Sequence, residues 1–346
     1  MKHTIFITGG AGYVGSILVD QFSKCDDVEK IIVLDKDNLP KFQDKASDKI
    51  VFIKSNMIDS DWQEQVAKYN PDIVIHTAWQ IRTLYRNEKK QWVWNILGSD
   101  KVFDFVFKNK SVKKFIHFST IASYGAYSQN TTDHFFTEEE TFRKSDYLYA
   151  IEKAESEKRL FAKYCQNKKI RSDLQVFVLR PASITGPMGR KKIRFGLQSA
   201  LSGNVGKNLL YRFVARILSV APMTKNWCRQ FIHEDDLYDI VRLLSFSKLN
   251  TTYEVFNVCP PGDVVLAKDM AQAVGKKMII LPPWFIRIAF FIMWHLSLGK
   301  IPTSQGGWKS YSYPIAVDGS KITKLLGYKY KYGPKESFSK IQGRYK

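Results

Sequence analysis

The apolar run Thr4–Thr8 ends in Thr8-Gly9-Gly10-Ala11-Gly12-Tyr13-Val14-Gly15 and leads straight into a helix-length segment. A strand, a glycine turn and a helix in that order constrain the fold more than any other feature of the chain. Gly9, Gly12 and Gly15 let the backbone turn tightly, approach a pyrophosphate closely and pack helix on strand. The helix N-terminus, with Tyr13 and Val14, then turns its N–H groups toward the phosphates. The spacing is GxxGxxG rather than GxGxxG, so a second signal is needed. Asp35 supplies it, twenty positions after Gly15 at the end of another apolar run. A carboxylate there accepts hydrogen bonds from an adenosine ribose and repels a 2′-phosphate, which favours NAD over NADP. Lys36 beside it pulls the other way.

Further short runs rich in Ile, Val and Phe read as buried strands at Lys30–Leu34, Ile50–Ile53, Ile73–His76, Phe115–Phe118 and Val176–Leu179, with longer amphipathic stretches between them. That alternation predicts an α/β fold, a doubly wound parallel Rossmann sheet covered on both faces. After Arg180-Pro181, Gly and Pro punctuate Thr185–Pro187, and the basic stretch up to Trp227 shows no strand alternation. A helix over Asp235–Ser245 and an extended Glu254–Val258 then return to the sheet. The expected organisation is interleaved: an NAD-binding lobe from 1–180 and 229–260, and a smaller C-terminal substrate lobe from 181–228 and 261–346.

The 53 basic and 33 acidic side chains give a net charge of +20, enough to attract phosphates, nucleic acid or an anionic membrane. The lysines are scattered, and only Arg190-Lys191-Lys192 with Arg194 forms a compact cluster. Without a basic motif interleaved with aromatics, a generally basic surface is expected rather than a nucleic-acid site. Cys25, Cys165, Cys228 and Cys259 never form CxxC, which argues against a metal site or disulfide scaffold and for a reducing, cytoplasmic setting. The first apolar run is too short for a signal-peptide core. No segment reaches the roughly 18 apolar residues of a membrane span.

Tyr149 and Lys153 stand four apart in a predicted helix, which puts phenol and ammonium on one face. A phenol titrating near ~10 is a poor base at neutral pH, and an adjacent cation brings it toward working range. Alone, the pair would read as an exposed tyrosine beside a solvated lysine. It has company: Phe115–Phe118 runs into the hydroxyl-rich Ser119-Thr120-Ile121-Ala122-Ser123-Tyr124-Gly125, at the carboxyl edge where such sheets place ligands.

These segments together resemble the extended short-chain dehydrogenase/reductase superfamily, the group of NAD-dependent epimerases and dehydratases. Val74-Ile75-His76-Thr77-Ala78 resembles its "VIHxAA" strand and Trp94-Asn95-Ile96-Leu97-Gly98 its "NVxGT". Leu179–Pro187 resembles "LRPxNVYGP", Arg229–Asp236 resembles "RDFIHVDD", and Leu325-Leu326-Gly327-Tyr328 the late "LGWxP". The resemblance implies NAD as cofactor, with Ala78 running past it and Asn56 on its adenine side. It implies that Tyr149 removes a hydroxyl proton as hydride leaves, assisted by Lys153 and Thr120 and supported by Asn95. Ser183 and Arg229 become substrate contacts, Arg229 to a phosphate, while His233 reads better as a loop buttress. Members of the superfamily pair through two long helices, which implies a homodimer.

Departures from the pattern bear on substrate. Ile121-Ala122 stand where dehydratases carry an acidic pair, which disfavours a 4,6-dehydratase and leaves an epimerase or oxidoreductase of a nucleotide-linked sugar. No Arg lies between Gly299 and Gly343 to clamp a diphosphate. That gap, with the apolar Trp284–Leu296 after Pro282-Pro283, resembles the 3β-hydroxysteroid dehydrogenase branch and keeps a sterol or lipid alcohol as the alternative. A lobe helix packed on the substrate site is the preferred reading of Trp284–Leu296, and with +20 net charge peripheral membrane contact is the other. A non-catalytic NAD-sensing or nucleic-acid-binding protein is a third reading, opposed by the intact Thr120, Tyr149 and Lys153.

Overall fold

The apolar runs become strands because both of their faces are covered, so no side of them has to meet water. The computed structural model describes residues 2–40, 48–192, 220–273, 275–340 and 342–345. Seven strands form one sheet: β1 His3–Thr8, β2 Val28–Asp35, β3 Ile50–Lys54, β4 Ile73–His76, β5 Lys114–Phe118, β6 Gln175–Pro181 and β7 Tyr253–Val258. Their order is β7-β6-β5-β4-β1-β2-β3, and β1 to β6 pair in parallel. This is the doubly wound sheet that the alternation predicts. Winding reverses between β1 and β4, and the crevice at the carboxyl ends of those strands is where such sheets take ligands.

The main helices are α1 Tyr13–Ser23, α2 Gly98–Lys108, α3 Leu148–Asn167, α4 Glu234–Phe246 and α5 Pro283–Leu296. A short helix, Glu88–Trp92, and a wide π-helical turn, Val93–Leu97, run into α2 without a break. Pro283 opens α5 at its first turn, where a missing N–H costs nothing. Phe6, Trp62, Phe103, Phe115 and Val176 are fully buried in one apolar core on the sheet. Of the basic stretch before Trp227, a helix Pro187–Lys192 and a strand Val220–Met223 are described; Arg194 lies outside the described residues.

The chain divides into two compact units, each drawn from three segments. The first holds Met1–Ser119, Glu152–Arg180 and Tyr238–Phe256; the second holds Thr120–Ile151, Pro181–Leu237 and Asn257–Lys346. Their candidate residues are described unit by unit.

Candidate active site

In the first unit the glycine loop is dictated by close packing. Gly9 has φ +77°, and a Cβ there would stand 2.5 Å from Ala78 Cα; one at Gly15 would stand 2.1 Å from the Gly9 carbonyl oxygen. No L side chain fits either place. Gly12 precedes the first turn of α1, which carries no acid, so the positive end of the helix faces the loop unopposed. Asp35 takes hydrogen bonds from two backbone N–H groups, Ala11 at 2.9 Å on one oxygen and Asp37 at 2.9 Å on the other. Asn56 closes the turn after β3, its side-chain oxygen accepting from Ile58 N–H at 3.3 Å.

Lys153 is buried in the same unit. Its Nζ donates to the Phe118 carbonyl at 2.5 Å and stands 3.5 Å from the centroid of the Trp79 ring. Burial lowers its pKa to about 7, against the opposing pull of Glu157 and Glu152. His76 is held neutral beside it: burial, then the Lys153 charge, lowers its pKa to about 3. Its two ring nitrogens engage Thr8 Oγ1 at 2.7 Å and Ser99 Oγ at 2.9 Å.

Asn95 sits in the π-helical turn with its amide fully engaged. Nδ2 donates to Glu152 Oε2 at 2.7 Å and to the Gln80 carbonyl at 3.0 Å, while Oδ1 accepts from Gln80 N–H at 2.7 Å. Gln91 Nε2 donates to the same Glu152 oxygen at 3.0 Å. Burial raises the Glu152 pKa, and the two amides and Lys153 resist that rise. Glu152, Gln91 and Trp79 went unmarked in the sequence. Glu152 follows Ile151 on a charged helix, where a carboxylate ordinarily signals a solvated face, and only tertiary packing shows otherwise.

Lys153 also yields a pH prediction. Its folded pKa of about 7 lies below the unfolded lysine value near ~10.4. Between those values the unfolded chain binds the extra proton, so stability contributed by this group rises with pH across that window; below it both states are protonated and the penalty is constant. Urea unfolding of the wild type from about pH 6 to 9 should show a rise that Lys153→Met reduces, with Lys114, lowered to about 8 by burial, keeping its own smaller share. Parallel profiles for the two proteins would refute the desolvated lysine.

In the second unit Thr120 precedes a 3₁₀ turn, Ile121–Tyr124, and its Oγ1 accepts from Ala122 N–H at 3.2 Å. Ser123 Oγ donates to the Ala150 carbonyl at 3.3 Å, tying this turn to the start of α3. The Tyr149 phenol lies within hydrogen-bonding reach of Thr120. Its pKa is raised above the ordinary tyrosine value by desolvation, with Thr120 opposing the rise. The Tyr147 ring is 5.8 Å from that of Tyr149.

Ser183 lies on a short strand, Ser183–Thr185, paired in parallel with Phe231–His233. Arg229, two residues before Phe231, donates weakly to the Ser310 carbonyl at 3.4 Å. Tyr147 and Tyr311 surround its guanidinium, whose pKa burial lowers, and no carboxylate pairs with it among the described residues. His233 accepts from Asp235 N–H at 3.1 Å and packs 4.3 Å from the Tyr332 ring, a buttressing position. At 121 and 122 the turn offers only apolar side chains.

The sequence model of the NAD dependent epimerase/dehydratase family matches residues 5–259. Residues of a dTDP-D-glucose 4,6-dehydratase from Dictyostelium discoideum are 37% identical over 132 positions, which span 35% of this chain and 30% of that relative. Among solved structures, UDP-glucose 4-epimerase of Thermotoga maritima with UDP-glucose superposes with a TM-score of 0.67 at 22% identity, covering 97% of this chain and 96% of the other. WbmG of Bordetella bronchiseptica in complex with NAD and UDP gives 0.71 at 20% identity, covering 98% and 92%. At these identities the superpositions speak for the fold alone.

Proposed function

This chain belongs to the NAD dependent epimerase/dehydratase family, and we propose that it is an epimerase or oxidoreductase acting on a secondary alcohol of a nucleotide-linked sugar. Tyr149 carries the reading: a desolvated phenol within reach of the Thr120 hydroxyl, one helical turn ahead of Lys153. The residues present fit the cofactor, since Gly9 and Gly15 admit no side chain and the acid-free start of α1 suits a pyrophosphate. Asp35, bonded to Ala11 N–H of the loop, suits the adenosine ribose; Ala78 packs against Gly9, and Asn56 is the adenine-side contact. A bound NAD would supply the hydride acceptor for the carbinol carbon.

Thr120 holds the reacting oxygen and Tyr149 takes its proton. Lys153, one helical turn along α3, is the third member of the acid–base set and, when protonated, steadies the nicotinamide ribose. Asn95 acts on this lysine's surroundings through Glu152. Arg229, half-buried and without a carboxylate partner among the described residues, suits a substrate phosphate, with Ser183 on the adjoining strand. The sequence relative named dTDP-D-glucose 4,6-dehydratase supports that substrate class. Ile121-Ala122 favour hydride transfer without loss of water, because they offer no acid to eliminate it.

A thermal-shift screen tests the reading. NAD should raise the melting temperature more than NADP, and Asp35→Ala should narrow the difference. A UDP-, dTDP- or GDP-sugar should raise it further with NAD present, and Arg229→Ala should lose that second shift while keeping the first. Silence across the sugar nucleotides with a response to sterols would replace the sugar by a lipid alcohol.

A further inference from the structure

We infer that α5 docks the protein on an anionic lipid surface. Apart from Arg287 and His295 the helix is apolar, yet only one stripe of it is covered. Ile286 is buried, and Phe290 packs 5.6 Å from the Tyr311 ring on the helix Gly307–Ser312. Its other side shows Trp284 (62% exposed), Ile288, Phe291 (65%), Ile292 and Leu296 (82%) to solvent. Of the seventeen large apolar side chains exposed among the described residues, ten fall between Met278 and Leu298. Singly scattered apolar residues need no explanation, but a concentration of this kind marks a contact surface.

Charge selects the partner. From Met270 to Val317 the sequence holds no Asp or Glu, while Lys276, Lys277, Arg287, Lys300 and Lys309 lie within it. Lys277, Arg287 and Lys300 are exposed, and none forms an ion pair with a described residue. Apolar and aromatic side chains flanked by unneutralised cations are the pattern of a helix lying in the headgroup plane. No helix among the described residues is long and apolar enough to cross a membrane, so α5 rests on the surface with its ring-bearing side among the acyl chains.

The test is co-sedimentation with phosphatidylcholine vesicles, with and without phosphatidylglycerol. The full chain should pellet with the anionic vesicles, about tenfold less with the neutral ones, and less again as salt is raised. Trp284→Ser with Phe291→Ser should weaken binding at least about tenfold, leaving the circular dichroism spectrum and the thermal response to NAD unchanged. Absence of pelleting, or pelleting that the two substitutions leave untouched, overturns the inference. A dimer that the same substitutions dissociate, without vesicle binding, overturns it in favour of a second copy.

Discussion

Tyr149→Phe should lower kcat about a hundred- to ten-thousand-fold while leaving NAD affinity and melting temperature where they are. The substitution removes one oxygen and keeps the ring, so the packing of Tyr149 against Tyr147 survives and only the proton acceptor is lost. Thr120 then has no phenol to hydrogen-bond, but it still caps its own turn through Ala122. Turnover of the sugar nucleotide identified by thermal shift, measured beside NAD titration calorimetry, separates chemistry from binding. A variant with full activity would remove Tyr149 from the reaction; a variant that no longer binds NAD would make the residue a cofactor contact instead.

Arg180→Met should destabilise the fold by about 3–5 kcal/mol, the usual consequence of leaving one partner of a buried ion pair uncompensated. Arg180 Nη2 lies 2.7 Å from Glu157 Oε2, both side chains are less than a tenth exposed, and Ser119 Oγ donates to the other carboxylate oxygen. Removing the guanidinium strands the Glu157 charge among β5, β6 and α3. Replacing both, as Arg180→Met with Glu157→Leu, should recover most of the loss, because the stranded charge is gone. Chemical unfolding of the single and double variants decides the matter. A single variant within about 1 kcal/mol of wild type would mean that water or a rearranged neighbour compensates the carboxylate.

The sheet was legible because its signal is local. Ile5, Ile7, Ile31 and Val33 are buried on strands covered from both sides, so each strand appears in the sequence as an unbroken apolar run. The glycine turn was equally legible, since Gly9 and Gly15 meet backbone atoms that reject any side chain. The setting of Lys153 was not. Trp79 reaches it from the turn after β4, and Glu152 joins Gln91 and Asn95 across sixty-one and fifty-seven residues of chain. Contacts between distant segments leave no periodicity to read. The Glu157–Arg180 pair escaped for a related reason: a charged residue in a charged helix looks solvated until a strand is laid against it.

The wide turn Val93–Leu97 has a consequence for how such chains diverge. Gln91, Asn95 and Ser99 are all buried at intervals of four, and four residues of plain α-helix overshoot one turn by about 40°. The wide turn absorbs part of that excess and brings the three residues closer to one line along the helix. Losing one residue there would rotate everything beyond it by about 100°, pulling Ser99 from His76 or Gln91 and Asn95 from Glu152 while every side chain remains encoded. A substitution around Glu152 costs one contact, whereas an insertion or deletion between Gln91 and Ser99 turns one end of this buried polar row away from the other.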